Sequence, residues 1–236
     1  MTALKYKENF INKIEKQLST IKTNLVHLSF EIDHTSDNNL QKILQHAFVL
    51  TSYGYLEGFF KNTLTDYLNF LQNYHQNNPS KQLSCMLHYF YRFSEKAKKD
   101  KEFCKQVMSY FKNIFNNKSI IKQNKKTKSS LSNFIVNCDN NMKYDILVLL
   151  LHLFSLNLRN YEEFYDSDKK KHSTEKCLND FVEDRNTLAH GEIGCLMGTF
   201  NLKQDYNMYK FLVIYLVDSL KDEITDIVTN DGYLLK

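Results

Sequence analysis

One proline, Pro79, and six glycines are all the helix-breaking residues that 236 positions contain. Proline removes a backbone donor and clashes with the preceding turn, and glycine raises the entropic cost of a helix. With so few of either, and with apolar residues recurring at three- and four-residue steps, the chain reads as all-α, a helical bundle of long antiparallel helices. This length can bury one substantial core or two small ones. The reading is a single helical domain over 1–236, with a basic helical or loop insertion at about 80–130.

The first helix is expected from Leu4 to Ile32. Ile11, Ile14, Leu18, Ile21, Leu25, Leu28 and Ile32 step by alternating threes and fours, a seam for one long neighbour or for a dimerisation arm. Thr35-Ser-Asp37 turns the chain and caps a second helix, about Leu40 to Gln72. Leu44, Ala47, Phe48, Leu56, Phe59, Phe60, Leu64, Tyr67, Leu68 and Leu71 form its core stripe, and Gly54 and Gly58 mark a side where another backbone could come close. Gln76-Asn-Asn-Pro-Ser80 breaks the pattern. Shorter helices follow at about 81–95 and 100–115, then a polar connection at 116–130 and a short helix at 132–138. Tyr144–Leu156 is apolar almost all round and should be a buried central helix, and Asn157–Ser173 a polar loop with a basic knot at Lys169–His172. A helix begins near Thr174, and the last runs from about Asp205 to Val228.

Charge is unevenly placed. Eleven lysines lie between Lys96 and Lys128 against Asp100 and Glu102, a local +9 in a chain of net +4, so the remainder carries about −5. Such a concentration suits either a solvated face or a polyanion partner, and Lys122, Lys125, Lys126 and Lys128 are the candidate RNA-binding positions. This surface is expected to be continuous with the site described next. Five widely spaced cysteines (Cys85, Cys104, Cys138, Cys177 and Cys195), with no Cys-x-x-Cys, suit reduced thiols and offer no zinc site. No apolar run approaches a membrane span and no leader opens the chain, so the expected location is cytoplasmic, with no membrane partner.

The stretch Phe181-Val-Glu-Asp-Arg-Asn-Thr-Leu-Ala-His190-Gly-Glu192 carries the chemistry. Leu178, Phe181, Val182 and Leu188 make it an amphipathic helix closed by Gly191. Asn186 and His190 are i and i+4 on one face, and the long Arg185 side chain can lean over the same end. Arg185 is one of only three arginines among 31 basic residues, and a guanidinium grips a phosphate in a plane as a lysine cannot. The plainer alternative is that Arg185 pairs with Glu183 or Asp184. Gly191, Gly194 and Gly198 follow, as a flexible turn or as bare backbone that admits a nucleic-acid strand. Glu57 is either an exposed or paired carboxylate or a group that reaches this site and tunes it.

Arg185, Asn186 and His190 followed by Gly191 and Glu192 resemble the signature of the HEPN family (higher eukaryotes and prokaryotes nucleotide-binding). Tyr53-Gly-Tyr-Leu-Glu-Gly-Phe-Phe-Lys61 is similar to the acidic, aromatic second-helix segment of its toxin-like branch, and the long helix ending near Tyr233-Leu-Leu is similar to the last one. The likeness spans about residue 40 to the end. It implies a metal-independent endoribonuclease with no cofactor, with His190 as general acid or base, Arg185 on the scissile phosphate, Asn186 on the imidazole ring or the phosphate, and Glu57 and Glu192 as supporting groups. It also implies a homodimer with two motifs facing across a two-fold axis, and a bacterial toxin or defence role with a cognate antitoxin protein. The alternatives are a non-catalytic HEPN module that binds a nucleotide or a partner, and a helical interaction protein with no nucleic-acid role. A metal hydrolase using Asp184, His190 and Glu192 lacks a second histidine at ligand spacing.

Overall fold

The seam of the first helix is covered by its own chain. In the computed structural model, which describes residues 3–74, 141–154, 156–191 and 200–230, α1 is Ala3–His34. Ile14, Leu18, Ile21, Leu25 and Ile32 of that seam are buried, joined by Phe10. They pack against α2 (Asn38–Tyr74) and the last helix, α5 (Tyr206–Thr229). The seam is therefore a wall of the core and not an arm held out for a second copy. Asp37 accepts the N–H groups of Asn39 and Leu40 at 2.8 and 3.1 Å, which caps α2 as its position suggests.

The central element is α2, packed by α1, α5 and the helix that carries the arginine. Its buried set is broader than one stripe: Val49, Ser52, Tyr53 and Thr63 join the expected Phe48, Leu56, Phe59, Phe60, Leu64 and Tyr67. Ser52 tolerates burial because its hydroxyl donates to the Phe48 carbonyl one turn back, at 2.6 Å. Ala47 is exposed, and the side chains of Leu68 and Leu71 lie outside the described residues. Gly54 and Gly58 mark no close backbone approach: a Cβ at either would meet nothing within 4 Å. They border an open groove with Lys13, Lys16 and Asn62.

The apolar stretch after residue 143 forms α3 (Tyr144–Leu153), shorter than expected and not central. It flanks α4 (Thr174–Ala189), burying Leu147, Leu150 and Leu151 while Ile146, Val148 and Leu149 stay half-buried. An apolar circumference says that a helix is covered, not that it sits in the middle. The expected loop at 157–173 contains a 3-10 turn (Leu158–Tyr161) and a hairpin, β1 (Glu163–Tyr165) with β2 (Lys171–Ser173), Phe164 opposite His172. Asp166 organises its tip, accepting the Asp168 and Lys170 N–H groups at 2.9 Å and His172 Nε2 at 2.8 Å. Phe164 anchors it, buried and stacked on Tyr215 at 5.9 Å. The basic knot is partly neutralised, since Lys171 pairs with Glu163 across the strands. The expected elements at 81–95, 100–115, 116–130 and 132–138 lie outside the described residues.

Leu25→Ala should lower the unfolding free energy by about 2–5 kcal/mol, the usual cost of emptying a packed core position. A denaturant titration reads this directly. An α1 that served only assembly would leave the unfolding of the isolated chain unchanged.

Candidate active site

Three successive residues of α4 point into three different surroundings, because each step along a helix turns about 100°. Glu183 faces outward and pairs with Lys203. Asp184 faces inward, fully buried, and its Oδ2 accepts the Tyr209 hydroxyl at 2.5 Å and the Lys203 N–H at 2.8 Å. Arg185 faces α2. The segment before α5 is thereby tied along α4, with Gln204 adding a bond to Asp180 at 2.7 Å. Burial pushes the Asp184 carboxyl above its ordinary range, against the pull of its two donors, and its Oδ1 has no hydrogen-bond partner among the described residues. The same contacts push the Tyr209 hydroxyl up, burial first and the carboxylate second.

The Arg185 guanidinium lies over the ring of Tyr53, its carbon 4.7 Å from the centroid, and Nη1 donates to Asn186 Oδ1 at 2.8 Å. Neither Glu183 nor Asp184 takes it, and no carboxylate among the described residues pairs with it. Tyr53 is itself held on two sides. Its hydroxyl accepts the Met142 N–H at 2.7 Å, and its ring meets Phe181 edge-on at 5.8 Å. Periodicity alone reads Tyr53 as one more core aromatic; an arginine partner 132 positions away leaves no trace in local spacing.

His190 is the C-cap of α4, exposed, its N–H bonded to the Asn186 carbonyl at 3.0 Å. Gly191 follows at φ +63°, the left-handed turn that ends the helix as expected, and its N–H reaches the Leu188 carbonyl at 3.2 Å. So Arg185, Asn186 and His190 share one helix end, but the Asn186 amide oxygen orients the arginine and not the imidazole. Glu57 sits one turn beyond Tyr53 with its carboxylate on Lys61, its i+4 neighbour, and so serves a local pair and not Arg185. A second imidazole stands nearby. His46, seven residues before Tyr53 on the same face of α2, contacts the Phe200 ring at 5.8 Å, and burial lowers its pKa below the ordinary 6.5.

Glu192, Gly194, Cys195 and Gly198, together with Lys122, Lys125, Lys126 and Lys128, lie outside the described residues, as do Cys85, Cys104 and Cys138. Cys177 is buried in α4 and its thiol is pushed up to about 12 by desolvation, which suits packing and not nucleophilic chemistry. Among the described residues no three His, Cys, Asp or Glu side chains cluster as a metal ion would need, and no helix is long and apolar enough to cross a membrane.

Tyr209→Phe should cost about 1.5–3 kcal/mol at neutral pH, since it strips a donor from a buried carboxylate. Asp184 is raised in the folded state, so its ionised form is a burden above the folded pKa that protonation relieves. The difference between variant and wild type should therefore shrink as pH is lowered, which urea titrations at pH about 7.5 and about 5 would read.

No curated protein and no solved structure matches the chain. The RiboL-PSP-HEPN family profile matches residues 8–226, from the first turns of α1 to the last of α5. That match takes in the five helices of the described residues and the Arg185–His190 end of α4, and the chain belongs to the RiboL-PSP-HEPN family, with an all-α HEPN fold.

Proposed function

We propose that the protein is a metal-independent endoribonuclease. The observation that carries this reading is Arg185, oriented by a tyrosine ring and an amide that leave its charge intact, five residues before an exposed imidazole on the same helix end. RNA supplies the nucleophile. The 2′-hydroxyl attacks the adjacent phosphorus, the P–O5′ bond breaks, and the products are a 2′,3′-cyclic phosphate and a 5′-hydroxyl. His190 takes the proton from the 2′-oxygen or gives one to the departing 5′-oxygen. Arg185 binds the scissile phosphate and offsets the charge that grows in the transition state. Asn186 holds that guanidinium in place.

Because one imidazole does one of the two proton transfers, the reading includes a homodimer that brings two Arg185–His190 pairs into one cleft. Exposed Leu40, Ile43, Ala47 and Leu50, stepping 3-4-3 along α2 at the end of the bundle that carries the motif, support a second copy there. A bacterial toxin or defence role in the cytoplasm, with an antitoxin protein as partner, completes the proposal on the strength of the family likeness.

His190→Ala should lower cleavage by about 10²–10⁴-fold and Arg185→Ala by about 10²–10³-fold. Arg185→Lys should also be impaired, because a point charge does not grip two phosphate oxygens in one plane. Cleavage should persist in excess chelator and fail on DNA and on 2′-O-methyl RNA, which lack the internal nucleophile. Robust cutting of the 2′-O-methyl substrate, or full activity in folded His190→Ala, would overturn the mechanism.

The lysines at 122, 125, 126 and 128 are proposed to bring RNA to this cleft. The chain leaves α2 at Tyr74 and rejoins the described fold at Asn141, and the next residue, Met142, is bonded to Tyr53 beneath Arg185. The chain thus re-enters the described fold beneath Arg185, thirteen residues after Lys128. Replacing the four lysines with Gln should weaken binding of single-stranded RNA and flatten its log–log salt slope by up to about 3. Unchanged affinity across a salt series would remove them from the binding surface.

A further inference from the structure

A phosphate-binding arginine needs more than charge, since the two N–H groups that grip a phosphate lie in the plane of the guanidinium. We propose that Tyr53 is the positioning residue for Arg185: its ring sets the plane in which the guanidinium meets the scissile phosphate. The kinetic consequence rests on the ribonuclease reading above; the stack itself has an independent readout.

The geometry runs from Tyr53 to Arg185 and not the reverse. Tyr53 is 1% exposed. The Met142 N–H on its hydroxyl and a T-shaped contact with the Phe181 ring, one turn before Arg185 on α4, fix its tilt. Arg185 is only half-buried, on a flexible stem. At 4.7 Å from the centroid its guanidinium carbon is within cation–π range, and in the parallel stack that the proposal takes, the face of the group meets the ring and its N–H edges stay clear. Asn186 Oδ1 takes one N–H on Nη1. A guanidinium carries five N–H donors, so the remaining edge still offers a parallel pair, now aimed in one plane. A carboxylate could orient the arginine equally well, but it would cancel the charge that the phosphate needs. An aromatic ring orients it and leaves that charge in place.

The two ends of Tyr53 have separable jobs, ring to Arg185 and hydroxyl to Met142, and the test uses that separation. Cleavage rate, affinity for a 2′-O-methyl oligonucleotide and thermal melting are compared in Tyr53→Leu, Tyr53→Phe, Arg185→Ala and the Tyr53→Leu/Arg185→Ala double variant. Tyr53→Leu should cut cleavage by about 10- to 100-fold, from a lost stack and a displaced donor. Tyr53→Phe should recover most of that loss although it melts lower, because it keeps the ring and gives up the hydrogen bond. In the Arg185→Ala background Tyr53→Leu should add nothing. A residue that mattered only for packing gives the opposite pattern, with activity following melting temperature and the Tyr53→Leu loss persisting without Arg185; that result overturns the inference. A wild type that neither cleaves nor binds RNA removes the ribonuclease reading instead. The stack is then judged on the Nε–H resonances, of which the chain has only three to resolve. Tyr53→Leu should move the Arg185 signal and Tyr53→Phe should leave it near its wild-type position, and a signal that Tyr53→Leu does not move overturns the stack as well.

Discussion

The hydrogen bond from Tyr209 to buried Asp184 decides how α4 faces the rest of the fold. It fixes α4 about its own axis against α5, with the Lys203 N–H as a second stay on the same oxygen. Because neighbouring residues on a helix are about 100° apart, fixing Asp184 towards α5 turns Arg185 towards α2 and Glu183 towards solvent. Apolar contacts at Phe181, Val182 and Leu188 hold α4 in the bundle but specify its rotation only loosely. A short bond to a single oxygen has one geometry. A carboxylate with one oxygen unpartnered among the described residues and an upward-shifted pKa is a poor way to gain stability, and its position next to the arginine in the chain fits a role in registration.

Much of the fold was legible from local rules. The ends of α1, α2, α4 and α5 fell within two or three residues of expectation, because caps such as Asp37 and the left-handed Gly191 act on their own neighbours. The hairpin was missed because strands of three residues present one alternation each, too little to distinguish from a polar loop. Its signal was the Asp166-Ser-Asp-Lys turn between Phe164 and His172. The placement of α3 failed for a different reason, since hydrophobicity reports cover without reporting which neighbour provides it.

Within the site, the helix end bearing Arg185, Asn186 and His190 was legible, and the partners were not. Glu57 drew attention as an acid among aromatics, yet Lys61 four residues on was a visible local partner. In the sequence Tyr53 is one aromatic of a longer segment, and its contact with Arg185 depends on α2 and α4 meeting, which no window of sequence contains. His46 is equally silent in sequence, since the ring it contacts, Phe200, lies far along the chain.

The distribution of acidic groups around Arg185 then acquires a meaning. Glu183 is occupied by Lys203, Asp184 by a tyrosine and a backbone N–H, and Glu57 by Lys61. Two of these carboxylates lie on α4 and one on α2, and none of the three turns its bonds to the arginine. Among the described residues the guanidinium meets an aromatic ring and an amide oxygen, groups that carry no net charge. In the partly desolvated setting between α2 and α4 an unquenched cation is costly to hold, and the ring quadrupole offsets part of that cost without removing the charge. A fold that served only to pack helices would gain more by placing one of those carboxylates on Arg185. Keeping them apart leaves an uncancelled positive charge on the helix end that also bears His190, the charge that the proposed reaction assigns to phosphate binding.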